Sequence, residues 1–231
     1  MIKLYAPAEK WGFLNASPFC MKLELYLIHN KVEYEKITNF DISKAPRWKI
    51  PYITDGDEIL TDSSLIIDYI DEKYKLDMDR HLDDAQKSIS HFILKTLEDS
   101  LYWCMVSERW WVDKNWKITK EAFFGGMPKF LYLIIPNIVR KNILRNLQWQ
   151  WTGKRERWEI QDLWIKDIEM IVDFLWKKKF IFWESISFID LAVYSTLVNL
   201  MKMPHESRLK DHINDNKNLV KYMKNMQNIF K

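Results

Sequence analysis

The stretch Asn15-Ala16-Ser17-Pro18-Phe19-Cys20 sets a hydroxyl and a thiol three residues apart, around a proline suited to the first turn of a helix. Free N–H groups and roughly half a positive charge gather at a helix start, so an anion is stabilised there, and a cysteine placed there ionises more readily. Ser17 cannot become a thiolate, but its hydroxyl can donate a hydrogen bond to a thiolate that a ligand brings. Alternatively Ser17 is a plain helix cap contributing about 1 kcal/mol. Cys20 also reads in two ways, as a reactive thiol at the helix start or as a small buried apolar side chain. Cys104, inside Leu101-Tyr102-Trp103-Cys104-Met105-Val106, reads as core.

Two further stretches have chemical potential. In Lys49-Ile50-Pro51-Tyr52 a proline precedes a strand; a cis peptide there would turn the neighbouring backbone groups toward an extended peptide ligand. Leu60-Thr61-Asp62-Ser63-Ser64 sets a carboxylate and hydroxyls at a second helix start, with Ser63 or Ser64 as the expected cap. Such an end would hold a ligand carboxylate, while Asp62 would pair with an α-ammonium; the same residues also suit ordinary capping. Tyr102, Trp103, Trp110, Trp111 and Trp116 crowd one region, and the seven-residue step from Trp103 to Trp110 puts both on one helix face. That lining suits a flat apolar ligand or a helical core equally.

Positioning these residues falls to two differently built halves. Residues 1–77 carry 10 basic and 13 acidic side chains, and the rest 25 and 19. The first part alternates: a strand at 2–5, a helix from Pro18 to about Asn30, a strand at 34–37, and a hairpin of 52–54 with 58–61 around Asp55-Gly56-Asp57. A helix follows with Leu65, Ile66, Tyr69 and Ile70 on its spacing. From residue 85 onward the pattern is helical, with helices expected at 85–107, 157–179, 187–201 and 216–230. This predicts an α/β domain over 1–77 and an all-helical domain over 85–231.

Composition removes several classes of function. Two cysteines rule out a disulfide framework or a four-cysteine zinc site, and five scattered histidines give no metal-ligand spacing, so no metal is expected. The five glycines form neither a P-loop nor GxGxxG. The apolar run 130–139 contains Pro136 and is shorter than the roughly 20 residues of a membrane span. With no secretory leader pattern at the N-terminus, a cytoplasmic location is expected.

Together these pieces resemble the glutathione-transferase fold, a thioredoxin-like N-terminal domain followed by an all-α one. Ser17-Pro18-Phe19-Cys20 resembles the Cys-Pro-Phe/Tyr-Cys of glutaredoxins and omega-type transferases with serine in the first place. Lys49-Ile50-Pro51 resembles the cis-proline element and Asp62-Ser63 the acidic-Ser pair that grips the γ-glutamyl end. Ser187-Phe188-Ile189-Asp190 resembles the family's N-capping box, a folding element. The stretches SPFCMKLELYLIHNKVEYE, DSSLIIDYI and SLYWCMVSERW resemble the failed axon connections and metaxin-like group.

The resemblance implies glutathione as co-substrate or ligand, held by Ser17, Lys49, Ile50, Pro51, Asp62 and Ser63. Catalytic candidates are Ser17 and Cys20, and Trp11, Tyr102, Trp103 and Trp110 would line a pocket for a small electrophilic or thiol substrate. It further implies a detoxifying transferase and a homodimer. A non-catalytic metaxin-like interaction protein is the alternative, with thiol reduction through Cys20 a third reading. The stretch 139–158 mixes six basic side chains with Trp149, Trp151 and Trp158 against the single acid Glu156. It reads as a solvated loop, a protein contact or a membrane-surface contact; the net charge of +3 is too mild for a nucleic-acid binder.

Overall fold

In the computed structural model, which describes residues 1–231 apart from Lys177, Glu184, Lys231 and the side chain of Ser43, a small mixed sheet precedes a run of helices. The sheet holds β1 (Ile2–Tyr5), β2 (Tyr34–Ile37), β3 (Tyr52–Asp55) and β4 (Glu58–Thr61) in the order β2-β1-β3-β4. β1 and β2 are parallel, and the crossover between them carries α1 (Pro18–His29). The other pairs are antiparallel, and the β3–β4 hairpin turns at Gly56, whose φ of +62° is one that glycine adopts without a side-chain clash.

Register fixes where the site forms. Tyr5 pairs with Tyr52, and Tyr52 with Thr61, so the end of β1, the start of β3 and the end of β4 lie side by side. Beyond that row come the loop to Ser17, then Pro51, and then Asp62 leading into α2 (Ser63–Tyr74). The Ile50–Pro51 bond is cis.

From Asp84 onward the described regular structure is helical. α3 (Asp84–Lys95), a π-helical segment (Thr96–Leu101) and α4 (Tyr102–Trp110) form one continuous run. The helix expected over 85–107 is therefore interrupted by a wider turn, which propensity does not reveal. α5 (Asp113–Phe124), α6 (Lys129–Trp149), α7 (Arg157–Leu175), α8 (Phe188–Met201), α9 (Arg208–Asp215) and α10 (Lys217–Ile229) complete the chain. α7 stops short of the expected 179 because Trp176 leaves the helical region with φ +34°; Lys177 lies outside the described residues. The loop expected over 139–158 is helical to Trp149, then a 3-10 turn (Thr152–Lys154), because α6 accommodates Pro136 inside it.

The core lies where α1 meets α8. Every residue of α1 from Cys20 to Leu27 is buried, and so is every residue of α8 from Ile189 to Leu200. A helix buried on all sides is mostly apolar all round, as α8 is apart from Asp190, Ser195, Thr196 and Asn199. Leu23, Leu25 and Leu27 are wholly enclosed, each contributing about 1.5–3 kcal/mol over exposure.

The start of α8 is held by the Ser187–Asp190 box. Asp190 accepts from Ser187 N (2.9 Å), Ser187 Oγ (2.7 Å), Ile181 N (2.9 Å) and Tyr222 OH (3.2 Å), and it is fully enclosed. Asp190→Ala would strand these donors away from water. The expected outcome is a loss of about 3 kcal/mol or more, measured as a lower urea midpoint; Ser187→Ala, which removes one of Asp190's donors and the side-chain acceptor of its backbone N–H, should cost clearly less.

Candidate active site

Ser17 closes the loop that leaves β1 and caps α1. Its Oγ accepts from Cys20 N at 3.4 Å, and Pro18 occupies the first helical position. Backbone φ of −113° keeps Ser17 extended, as a cap requires. The hydroxyl retains its proton, and Ser17 is only half-buried, so that proton can be donated to a ligand atom above the helix end.

The loop is held from both sides. Asn15 donates Nδ2–H to Pro7 O (2.9 Å), and its Oδ1 accepts from Ser17 N (3.0 Å). From α4, the buried Arg109 donates through Nη1 to Ala16 O and through Nη2 to Asn199 Oδ1, both at 2.8 Å. Asn199 of α8 donates to Asn15 O at 3.1 Å. Among the described residues no carboxylate pairs with Arg109. Burial pulls its guanidinium down to about 9, which leaves it charged at neutral pH. Sequence reading missed Arg109, Asn199 and Asn15. Each looks ordinary locally, and the signal is a contact between residues far apart in the chain.

Cys20 lies on the opposite side of that first turn, fully enclosed. Burial pushes its thiol up to about 12, and hydrogen bonding with Ser17 offsets this only in part. At neutral pH it is therefore a protonated, sealed thiol, which is at odds with the expected catalytic role and with thiol reduction through it. Cys104 is likewise enclosed, its thiol raised by burial.

The second helix start faces the first. Lys22 of α1 donates Nζ to Ser64 Oγ (3.1 Å) and pairs with Glu98 (2.6 Å), tying the opening turns of α1 and α2 together. Asp62, rather than Ser63 or Ser64, caps α2, accepting from Ser64 N at 2.9 Å. The serines sit inside the helix because Asp62 already supplies the acceptor two residues ahead. Asp62 is exposed and holds φ +73°, a region costly for a side-chain-bearing residue and most often kept where function requires it. Ser63 is buried, while Lys49 is exposed and Ile50 half-buried beside the cis Pro51.

Trp11 sits at the tip of a two-residue turn. Lys10 and Phe13 exchange both backbone hydrogen bonds (3.2 and 3.1 Å), and Trp11 and Gly12 both have positive φ, the geometry of a type I′ turn. Its ring meets His205 and Phe123 edge-on at 6.2 Å, and Phe123 stacks with Trp110 at 6.4 Å. Tyr102 instead meets Phe19 at 5.0 Å and Trp103 at 5.4 Å. The four aromatic candidates thus fall into two groups, Trp11 with Trp110 through Phe123, and Tyr102 with Trp103. The expected single face splits because the groups pack on different neighbours.

Among the described residues no cluster of three or more His, Cys, Asp and Glu side chains is placed to hold a metal. The site consists instead of two helix starts, a cis-proline strand entrance and an aromatic wall. Residues 18–116 match the glutathione S-transferase N-terminal domain, and residues 164–226 match the glutathione S-transferase C-terminal domain. The chain belongs to the glutathione S-transferase family.

Within this family, the chain is 27% identical to isoprene-epoxide–glutathione S-transferase of Rhodococcus sp. (strain AD45), over 98% of both chains. It is 22% identical to Failed axon connections of Drosophila melanogaster over 80% of this chain and 47% of that one, so it spans about half of that protein. Among solved structures, beta-etherase LigF from Sphingobium sp. strain SYK-6 matches with a TM-score of 0.66 at 16% identity, over 98% of this chain and 94% of that one. Human glutathione transferase theta-2 in complex with glutathione matches at 0.60 and 16%, over 100% and 83%. At those identities the likeness shows a shared fold.

The burial of both cysteines has a direct readout. In the folded chain, neither Cys20 nor Cys104 should react with a disulfide reagent such as dithionitrobenzoate at neutral pH, and both should react once it unfolds. Fast release of one equivalent from the native chain would contradict the sealed position of Cys20.

Proposed function

We propose that the chain is a glutathione transferase in which the glutathione thiolate attacks a small electrophile and Ser17 donates a hydrogen bond to the sulfur. In the reaction a C–S bond forms as the electrophile's bond to its leaving atom breaks, and the thiol proton passes to solvent. Residues 1–77 bind the tripeptide in this reading, and residues 85–231 supply the wall against which the electrophile lies. The observation that carries it is the pairing of two helix starts, α1 and α2, tied through Lys22 and Ser64 beside a cis proline.

Glutathione has a charge for each part of that arrangement. The α-ammonium meets the exposed Asp62, and the γ-glutamyl carboxylate meets the start of α2 and Ser63. Its cysteinyl backbone pairs with the main chain at Ile50 and Pro51, and its glycine carboxylate lies within reach of Lys49. The sulfur then lies over the start of α1, where the partial positive charge, the Ser17 hydroxyl and the charge of Arg109 behind the loop all favour the thiolate. A serine suffices because the reactive sulfur arrives with the ligand; a cysteine in its place would form a mixed disulfide and favour reduction. The relative named for isoprene epoxide makes small epoxides the first electrophiles to try, and Trp11, Phe123 and Trp110 offer apolar walls for them.

A second reading, an interaction protein that keeps the fold without turnover, is favoured by the exposed apolar face of α6. Glutathione binding separates the two. At 100 times its dissociation constant, glutathione should add about 2.7 kcal/mol, and each kcal/mol raises the melt by about 2–4 °C at this chain length. The rise should vanish in Asp62→Ala. With an active electrophile, Ser17→Ala should lower kcat/KM by about 100-fold, while Cys20→Ala leaves turnover unchanged. Ser17→Ala turning over like the unaltered chain would contradict the role given to Ser17.

A further inference from the structure

Apart from Phe123 of α5, the helical pair α5–α6 and the segment after it supply no residue to the site. Residues 113–158 hold 10 basic and 3 acidic side chains, a net charge of +7, so the rest of the chain carries −4. All three acids are engaged: Asp113 with Arg140 (2.6 Å), Glu121 with Tyr132 OH (3.0 Å), and Glu156 in the capping box of α7. The two family matches cover residues 18–116 and 164–226, so most of this stretch lies between them.

α6 is the exposed element. Of its residues only Pro136 and Leu147 are buried, and it contains no acidic side chain. Phe130, Leu133, Ile134 and Ile138 follow the i, i+3, i+4 spacing of one face, and each is more than half exposed. One turn on, the same face carries the exposed Lys141 and Arg145. Three exposed indoles follow: Trp149 at 84%, Trp151 at 59% and Trp158 at 60%. A helix that joins an unpartnered apolar stripe, cations without acids, and indoles at one end has the composition of an element lying in a lipid–water interface.

We infer that this face docks on an anionic lipid bilayer. Phe130, Leu133, Ile134 and Ile138 enter the acyl boundary, Lys141 and Arg145 lie among the headgroup phosphates, and the indoles sit at headgroup depth. Charge selects this occupant. A second copy of the face would bring like charges together, and a nucleic acid would leave the four apolar side chains in water. The helix lies on the membrane: among the described residues no helix is long and apolar enough to cross one.

The test is flotation of the full chain with large unilamellar vesicles of phosphatidylcholine, alone or with about one-third phosphatidylserine. The expected result is binding to the anionic vesicles only, released in about 1 M salt, where the screening length falls to about 3 Å. Lys141→Gln with Arg145→Gln should weaken it about 30-fold. Leu133→Ser with Ile134→Ser should weaken it at least about tenfold. All four side chains are exposed or at the surface, so both variants should melt with the unaltered chain, which a thermal scan checks. Absence of binding to either vesicle would overturn the inference. So would serine variants that bind as well as the parent, which would mean attraction to any polyanion. A concentration-dependent dimer that the serine variants abolish, without vesicle binding, would assign the face to a second copy and overturn it as well.

Discussion

A buried guanidinium holds the candidate site of this molecule in place. Arg109, carried by α4, donates to Ala16 O and to Asn199 Oδ1, and Asn199 donates in turn to Asn15 O. Two helices distant in sequence, α4 and α8, thereby converge on the residues just before Ser17. A buried charge without a carboxylate partner is costly to desolvate. It is tolerated here because carbonyl and amide oxygens accept its N–H groups, and those same acceptors are what fix the loop. The charge stays next to the start of α1, where an anion would benefit from it.

The rest of the site depends on that fixed point. Lys22, paired with Glu98 and bonded to Ser64, transmits the position of α1 to α2. The sheet register brings the entrance of β3 to the same end. Burial of α1 and α8 removes freedom from both helices, so Ser17 at the start of α1 rests on a rigid element. Cys20, one turn into the helix, is spent on that packing: the enclosure that makes α1 rigid is also what keeps its thiol protonated.

How much of this the sequence revealed depends on whether the signal was local. Ser17 before Pro18, the Asp55-Gly56 turn and the Ser187-to-Asp190 spacing are short-range patterns, and each forms as its residues suggest. The cis Ile50–Pro51 bond sits where the family resemblance implied. The α2 cap was missed by one residue, because Asp62 adopts positive φ, which side-chain chemistry alone does not announce. The turn that carries Trp11 has no clear sequence signal, because its type I′ geometry uses Trp-Gly in place of the common Asn-Gly. α6 runs through Pro136 to Trp149, so most of the stretch 139–158 that reads as a loop is helical. Arg109 was the hardest to read, since its partners lie 90 or more positions away in the chain.

The most direct test of the account is the ionisation of glutathione's own thiol while bound, followed by thiolate ultraviolet absorbance as pH is raised, in the parent chain and in Ser17→Ala. The account expects the bound thiol of the parent to titrate at least about one unit below an ordinary thiol near 8.5, and Ser17→Ala to return it most of the way. A bound thiol that titrates like free glutathione in the parent, or one equally acidic without the Ser17 hydroxyl, would contradict the claim that this helix start activates the sulfur.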